Sequence, residues 1–144
     1  MLASILFGMI AHGALAGTLW KLKPLAVAPE LERTLEQAGL HPRQGLTPGP
    51  VAITGFHEPS FVFLTGSDTQ LTDGAGAARA LAEGRPAIVE AADADAFRSA
   101  LGSGGGGRSV GTVTGHDYAT GDDVNLTVYA PVGVATGATS GAGR

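Results

Sequence analysis

A chain of 144 residues with no cysteine and a formal net charge of −4 has room for one domain with an appendage, and it excludes disulfides and thiolate metal sites. Residues 1–50 carry four Lys/Arg against three Glu, whereas residues 51–144 carry five Arg against ten Asp/Glu. The larger part is acidic and lacks the clustered Lys/Arg that phosphate binding needs, which argues against nucleic acid as a partner.

Residues 2–20 contain no Asp, Glu, Lys or Arg. As a helix they would extend roughly 28 Å, close to the hydrocarbon thickness of a bilayer. Trp20 ends the run where an interfacial aromatic belongs, Lys21 and Lys23 can reach headgroups, and Pro24 stops the helix. The stretch reads as a transmembrane helix. No basic residue precedes it, which speaks against a cleaved secretory signal. A buried core helix is the alternative, suggested by His12, Gly8, Gly13 and Gly17. In a membrane those residues imply neighbouring helices. The two Lys after the span place the following domain in the cytoplasm by the positive-inside rule, unless upstream helices override it.

Residues 24–29 read as an extended linker and residues 29–38 as an amphipathic helix, with Leu31, Leu35 and Ala38 on one face and Gly39 as its stop. A proline-rich loop leads to residues 51–56 and 60–65, two β-branched and aromatic runs that read as strands. Residues 72–83 form an alanine-rich helix, capped by Thr72 or Asp73 and closed by Gly84. Residues 86–91 read as a short strand and residues 93–101 as a helix with Phe97 and Leu101 on one face. Residues 102–107 form a glycine-rich loop. Alternation then predicts a hairpin of residues 109–118 and 123–129, turning at residues 119–122. Residues 130–144 have the composition of a disordered tail. The expected fold is α/β: an N-terminal transmembrane helix (residues 1–23), a lead-in (residues 24–50) and a small mixed-sheet domain with two or three helices over residues 51–130.

His57-Glu58-Pro59-Ser60 places acid/base side chains after a strand, where α/β sites often lie. They read either as a ligand-contacting corner or as a turn in which Glu58 or Ser60 caps backbone groups and Pro59 fixes φ. Gly66-Ser67-Asp68-Thr69 reads as a strand-to-helix turn; Asp68 joins His57, Glu58 and Ser60 as a candidate ligand-contacting residue. The turn lacks the glycine pattern and the Lys of a phosphate loop. His57 and His116, without a defined spacing, do not make a metal site. No hydrolase signature is present, so no catalytic residue, metal or cofactor is expected.

The pattern Gly55-Phe56-His57-Glu58-Pro59-Ser60-x-Val62-Phe63-Leu64-x-Gly66-x-Asp68-Thr69 resembles the C-terminal soluble domain of bacterial aminoarabinose-transferase-like glycosyltransferases, which belong to a membrane family that includes the protein O-mannosyltransferases. The resemblance continues in residues 87–90, in Phe97, in Gly115-x-Asp117-Tyr118-x-x-Gly121 and in Leu126-Thr127-x-Tyr129. It departs at His116-Asp117, where these enzymes more often have Phe-Asn, and it covers residues 15–130. Such enzymes have many membrane helices followed by a periplasmic α/β domain. They transfer a sugar from a polyprenyl-phosphate carrier to lipid A, protein or another acceptor, with a catalytic Asp in an early periplasmic loop. The resemblance therefore implies a C-terminal piece without the catalytic region, held at the inner membrane. Its partners would be membrane lipid and, through the missing part, the lipid-linked sugar donor. The alternative is a free-standing membrane-anchored module that binds a small ligand or a protein.

Overall fold

The computed structural model of the chain describes residues 27–103 and 106–133. The expected membrane helix over residues 2–20 lies outside the described residues, as do residues 134–144 of the expected tail. Among the described residues, no helix is long and apolar enough to cross a membrane.

The described chain is a three-layer α/β domain. Helix α1 (Val27–Gln37) precedes a single 3₁₀ turn at Pro42–Gln44. Strand β1 (Ala52–Ile53), helix α2 (Pro59–Thr65), strand β2 (Gln70–Leu71), helix α3 (Gly74–Ala82) and strand β3 (Ala87–Glu90) follow. Helix α4 (Ala94–Leu101) leads to a long hairpin, β4 (Gly107–Asp117) and β5 (Asp122–Pro131). The sheet order is β2-β1-β3-β5-β4. β1 pairs in parallel with both β2 and β3, and β5 joins β3 and β4 in antiparallel register.

Strand alternation divides the core into two layers. Ile53, Ile88, Val113, Leu126 and Val128 face α1 and α2 and meet Leu31, Leu35 and Phe61. Ala87 and Val89 face α3 and α4 and meet Ala77, Leu81 and Phe97, with the Tyr129 ring 4.8 Å from that of Phe97. A sheet apolar on both sides needs a helical layer on each. The amphipathic helix expected at residues 29–38 begins two residues earlier and buries Val27 and Ala28 as well. It belongs to the same core as the sheet.

Most expected elements form with shifted ends, and one changes type. The expected strand over residues 60–65 is helix α2. Its buried positions are Phe61 and Thr65, with Leu64 packed against the same cluster. Spacings of three and four are helical, not alternating. Pro59 stands in the first turn, where a missing N–H costs nothing and a φ near −65° suits the helix. Residues 66–69 accordingly link a helix to a strand, the reverse of the expected order, and the strand they enter has two residues. The strand expected over residues 51–56 is regular only at Ala52–Ile53, with flanking backbone bonds at Val51 and Thr54, before Gly55 turns the chain away with φ 65°. A side chain there would crowd Glu90: a Cβ on Gly55 would lie 2.6 Å from the Glu90 Cβ. Asp73 caps α3 by accepting the Gly76 N–H at 2.7 Å, one of the two caps anticipated.

Candidate functional site

β1, β2 and β3 run in the same direction, so their carboxyl ends share one edge of the sheet. β5 runs against β3, which brings the start of β5 and the end of β4 to that same edge. There the buried Thr54 hydroxyl accepts the Glu90 N–H at 3.0 Å and ties the exits of β1 and β3 together. Glu90 in turn accepts the Ala92 N–H through Oε2 at 2.5 Å and starts the short turn before α4.

His57, Glu58 and Ser60 lie at this edge. Glu58 is the residue before α2, but its side chain does not cap the helix. One carboxylate oxygen accepts the Tyr118 N–H at 3.0 Å, and the other accepts the Ser60 hydroxyl at 2.9 Å. Asp117, fully buried, accepts the Ala119 N–H at 2.7 Å with one oxygen and the His57 N–H at 3.5 Å with the other. The corner is thus clamped to the tip of the β4–β5 hairpin by two carboxylates, each bonded across the gap to a backbone amide. The His57 imidazole is exposed and makes no hydrogen bond. Ser60 donates its proton to a carboxylate rather than to a base that the imidazole could supply. Apart from the exposed imidazole, the polar side chains of this corner are bonded to one another and to the hairpin backbone.

Asp68 stands apart. It precedes β2, whereas His57 follows β1, and parallel pairing puts them at opposite ends of the sheet. Asp68 is exposed in the α2–β2 turn. That turn is held by Thr69, whose N–H and hydroxyl both donate to the Gly66 carbonyl, at 3.0 and 2.7 Å. The structure therefore brings three of the four candidates together and leaves the fourth elsewhere.

The hollow at the carboxyl edge is lined by residues that sequence reasoning did not single out. An open cleft of about 680 Å³ has Glu30, Glu90, Thr112, Thr114, Asp123 and Asn125 along its walls. Asp123 Oδ1 lies 3.1 Å from His116 Nδ1, and the His116 ring stands edge-on to that of Tyr118 at 5.5 Å. Tyr118 is 53% exposed. A visible signal existed: Thr112, Thr114, Asn125 and Asp123 occupy the positions of the hairpin that alternate with its apolar ones. On a half-covered antiparallel ladder such positions are polar by default, and alternation alone does not distinguish a lining from a solvated face.

Among the described residues, the lining contains carboxylates, hydroxyls and one amide, and no Lys or Arg. Such a set can exchange hydrogen bonds with a polyhydroxylated ligand. It is wrong for a phosphate, which calls for guanidinium, ammonium or converging backbone N–H groups. Among the described residues, no group of three or more His, Asp or Glu is placed to hold a metal ion. A second hollow of about 830 Å³ between α3 and α4 is lined by Ala78, Leu81, Ala100 and Leu101, with Arg79 the one charged side chain among its described residues, and it carries little chemistry. Comparisons with family models, curated proteins and solved structures find no match to this chain.

Proposed function

We propose that the chain is the membrane-tethered accessory domain of a glycosyltransferase that takes a sugar from a polyprenyl-phosphate carrier, and that the domain holds carbohydrate without performing transfer. The cleft of Glu90, Thr112, Thr114, Asp123 and Asn125 carries this reading: it offers hydrogen-bonding groups suited to hydroxyls and, among the described residues, no cation for the carrier phosphate. The donor's phosphate would then be bound by the membrane part of such an enzyme, and this domain would cap its cavity from the periplasmic side of the inner membrane. The apolar run at residues 2–20 supports the tether.

The test has two arms. The chain expressed alone in vesicles and supplied with polyprenyl-phosphate sugars should show no transfer above background; robust turnover overturns the accessory role. Titrating the chain with simple saccharides should shift the amide resonances of Thr114 and Asn125. Shifts confined to a peptide or protein ligand would favour a free-standing binding module in its place.

A further inference from the structure

We infer that Tyr118 is the stacking platform of the cleft: its ring receives the C–H face of a pyranose whose hydroxyls bond to the wall at Thr114, Asp123 and Asn125. The inference rests on the carbohydrate reading above. It narrows the ligand from any polyol to a cyclic saccharide.

The fold has no need of an aromatic ring at this position. Among the described residues, Tyr118 belongs to neither core cluster, and it is half-exposed at the hairpin tip. One exposed aromatic is ordinary on a soluble surface. Two things set this one apart: what stands beside it and how it is held.

The neighbours follow from strand geometry. Side chains two residues apart on a strand share a face. Thr114 and His116 therefore stand on the same side of β4, opposite Asn125 and Asp123 in the register of the hairpin. Tyr118, just past the end of β4, keeps to that side, because its ring lies 5.5 Å from the His116 ring at an angle of 78°. His116 Nδ1 is 3.1 Å from Asp123 Oδ1, and Asp123 belongs to the cleft wall. A single imidazole thus links the Tyr118 ring to the cleft. The wall supplies partners for hydroxyls. A pyranose also has an apolar face of weakly positive C–H groups, which matches the negative face of an aromatic ring.

The ring is carried on fixed backbone. The Tyr118 N–H donates to Glu58 at 3.0 Å. Asp117, before it, is buried and accepts the Ala119 N–H at 2.7 Å, and its carbonyl accepts the Gly121 N–H at 2.7 Å. With the chain held on both sides of the ring, little freedom remains to be lost when a ligand settles on it. The corner before α2 thereby acquires a part in binding. Glu58 acts as a positioning residue, through the Tyr118 backbone.

The test titrates the full chain with cellobiose and, as an acyclic control of the same hydroxyl chemistry, with sorbitol, following the ligand proton resonances. Cellobiose C–H resonances should move upfield with wild type and Tyr118→Phe, as protons over an aromatic face do, and stay in place with Tyr118→Ala. Cellobiose affinity should fall about two- to tenfold in Tyr118→Ala and hold in Tyr118→Phe, with sorbitol affinity the same in all three. Glu58→Ala should weaken cellobiose binding in the wild-type background and not in Tyr118→Ala. Glu58→Gln, which keeps an acceptor for the amide, should bind as wild type does. Unchanged cellobiose shifts and affinity in Tyr118→Ala, with binding still weakened by Thr114→Ala and Asn125→Ala, overturn the platform and leave the carbohydrate cleft standing. Equal losses of cellobiose and sorbitol in Tyr118→Ala also overturn it, since the substitution has then disturbed the wall itself. Wild type that binds neither compound removes the carbohydrate reading and the inference together.

Discussion

The Glu58 carboxylate accepts the backbone N–H of Tyr118 at 3.0 Å, across a sequence separation of 60 residues. Its other oxygen is taken by Ser60 at 2.9 Å, two residues away. One side chain thus joins the exit of a parallel strand to the tip of an antiparallel hairpin. Replacing Glu58 by Ala should cost about 1 kcal/mol, the usual net value of a partly exposed hydrogen-bonded pair. Chemical denaturation would read this as a lower midpoint with an unchanged slope. His57→Ala, which removes an exposed ring and leaves its bonded amide in place, should shift stability by less than about 0.5 kcal/mol. The reverse ranking would mean that the His57 ring, and not the Glu58 carboxylate, holds the corner in place.

Asp117 makes the stronger half of the same clamp. It is fully buried and receives two backbone N–H groups, from Ala119 at 2.7 Å and His57 at 3.5 Å. Asp117→Ala leaves those amides without their acceptor and should cost about 2–3 kcal/mol. Asp117→Asn keeps the shape and one acceptor oxygen, and should fall between Ala and wild type. Hydrogen exchange of the Ala119 amide, faster in both variants and fastest in Ala, would locate the loss at the hairpin tip.

Phe61 and Phe63 are two residues apart, and their fates are opposite. Phe61 is 1% exposed and meets Phe56 edge-on at 6.1 Å; Phe63 is almost wholly exposed. Phe61→Ala should cost about 3–5 kcal/mol through the cavity it leaves. Phe63→Ser should leave the thermal midpoint within about 1 °C of wild type, because nothing packs on the ring. A strand with both rings on one face would have made the two substitutions equally damaging.

The same pair explains what the sequence reveals and what it hides. The α3 and α4 helices, β3 and the hairpin are readable because each carries its own period: alanines behind the Asp73 cap, the Phe97–Leu101 spacing, and Val124, Leu126 and Val128 in alternation. α2 is misread because Phe61, Val62 and Phe63 are strand formers by propensity. The decision falls to Pro59 in the first turn and to packing of Phe61 and Thr65 against α1 and β1, which only the assembled fold supplies. Two-residue strands such as β2 have no period to read. At the site, His57, Glu58 and Ser60 are visible as reactive types in a row. The partners that decide their role, Asp117 and Tyr118, lie 60 residues away in sequence. The cleft is hidden for a different reason: Thr112, Thr114 and Asn125 become a wall only when β3, β4 and β5 meet.

Gly55 lets the chain leaving β1 pass close to Glu90 at the end of β3. Its φ of 65° belongs to the left-handed region, and a Cβ there would lie 2.6 Å from the Cβ of Glu90. The obstructing atom is at the root of the Glu90 side chain and cannot swing away. Gly55→Ala should therefore cost about 1–3 kcal/mol, backbone strain and crowding together. Glu90→Gly made in the Gly55→Ala background removes the obstruction and should recover part of the loss. A double variant no more stable than the sum of its singles would assign the whole cost to the backbone.

The cleft gives the prediction closest to function. Thr114 and Asn125 face one another across the β4–β5 ladder, and both side chains are exposed, so neither supports the core. Thr114→Ala and Asn125→Ala should leave the thermal midpoint unchanged within about 1 °C, since surface substitutions rarely exceed about 0.5 kcal/mol. Each removes one hydrogen-bonding group from a wall that would contact sugar hydroxyls, and each lost bond to a bound ligand is worth about 0.5–1.5 kcal/mol. Saccharide affinity should fall about two- to tenfold in each variant, and further when both are combined. The acidic lining adds a sign to the expectation: with Glu30, Glu90 and Asp123 on the walls and no Lys or Arg among the described lining residues, an uncharged saccharide should bind better than its phosphorylated counterpart. Raising the salt concentration should narrow that difference by screening the carboxylates. Preference for the phosphorylated sugar, retained in Thr114→Ala and Asn125→Ala, would place carbohydrate binding outside this cleft.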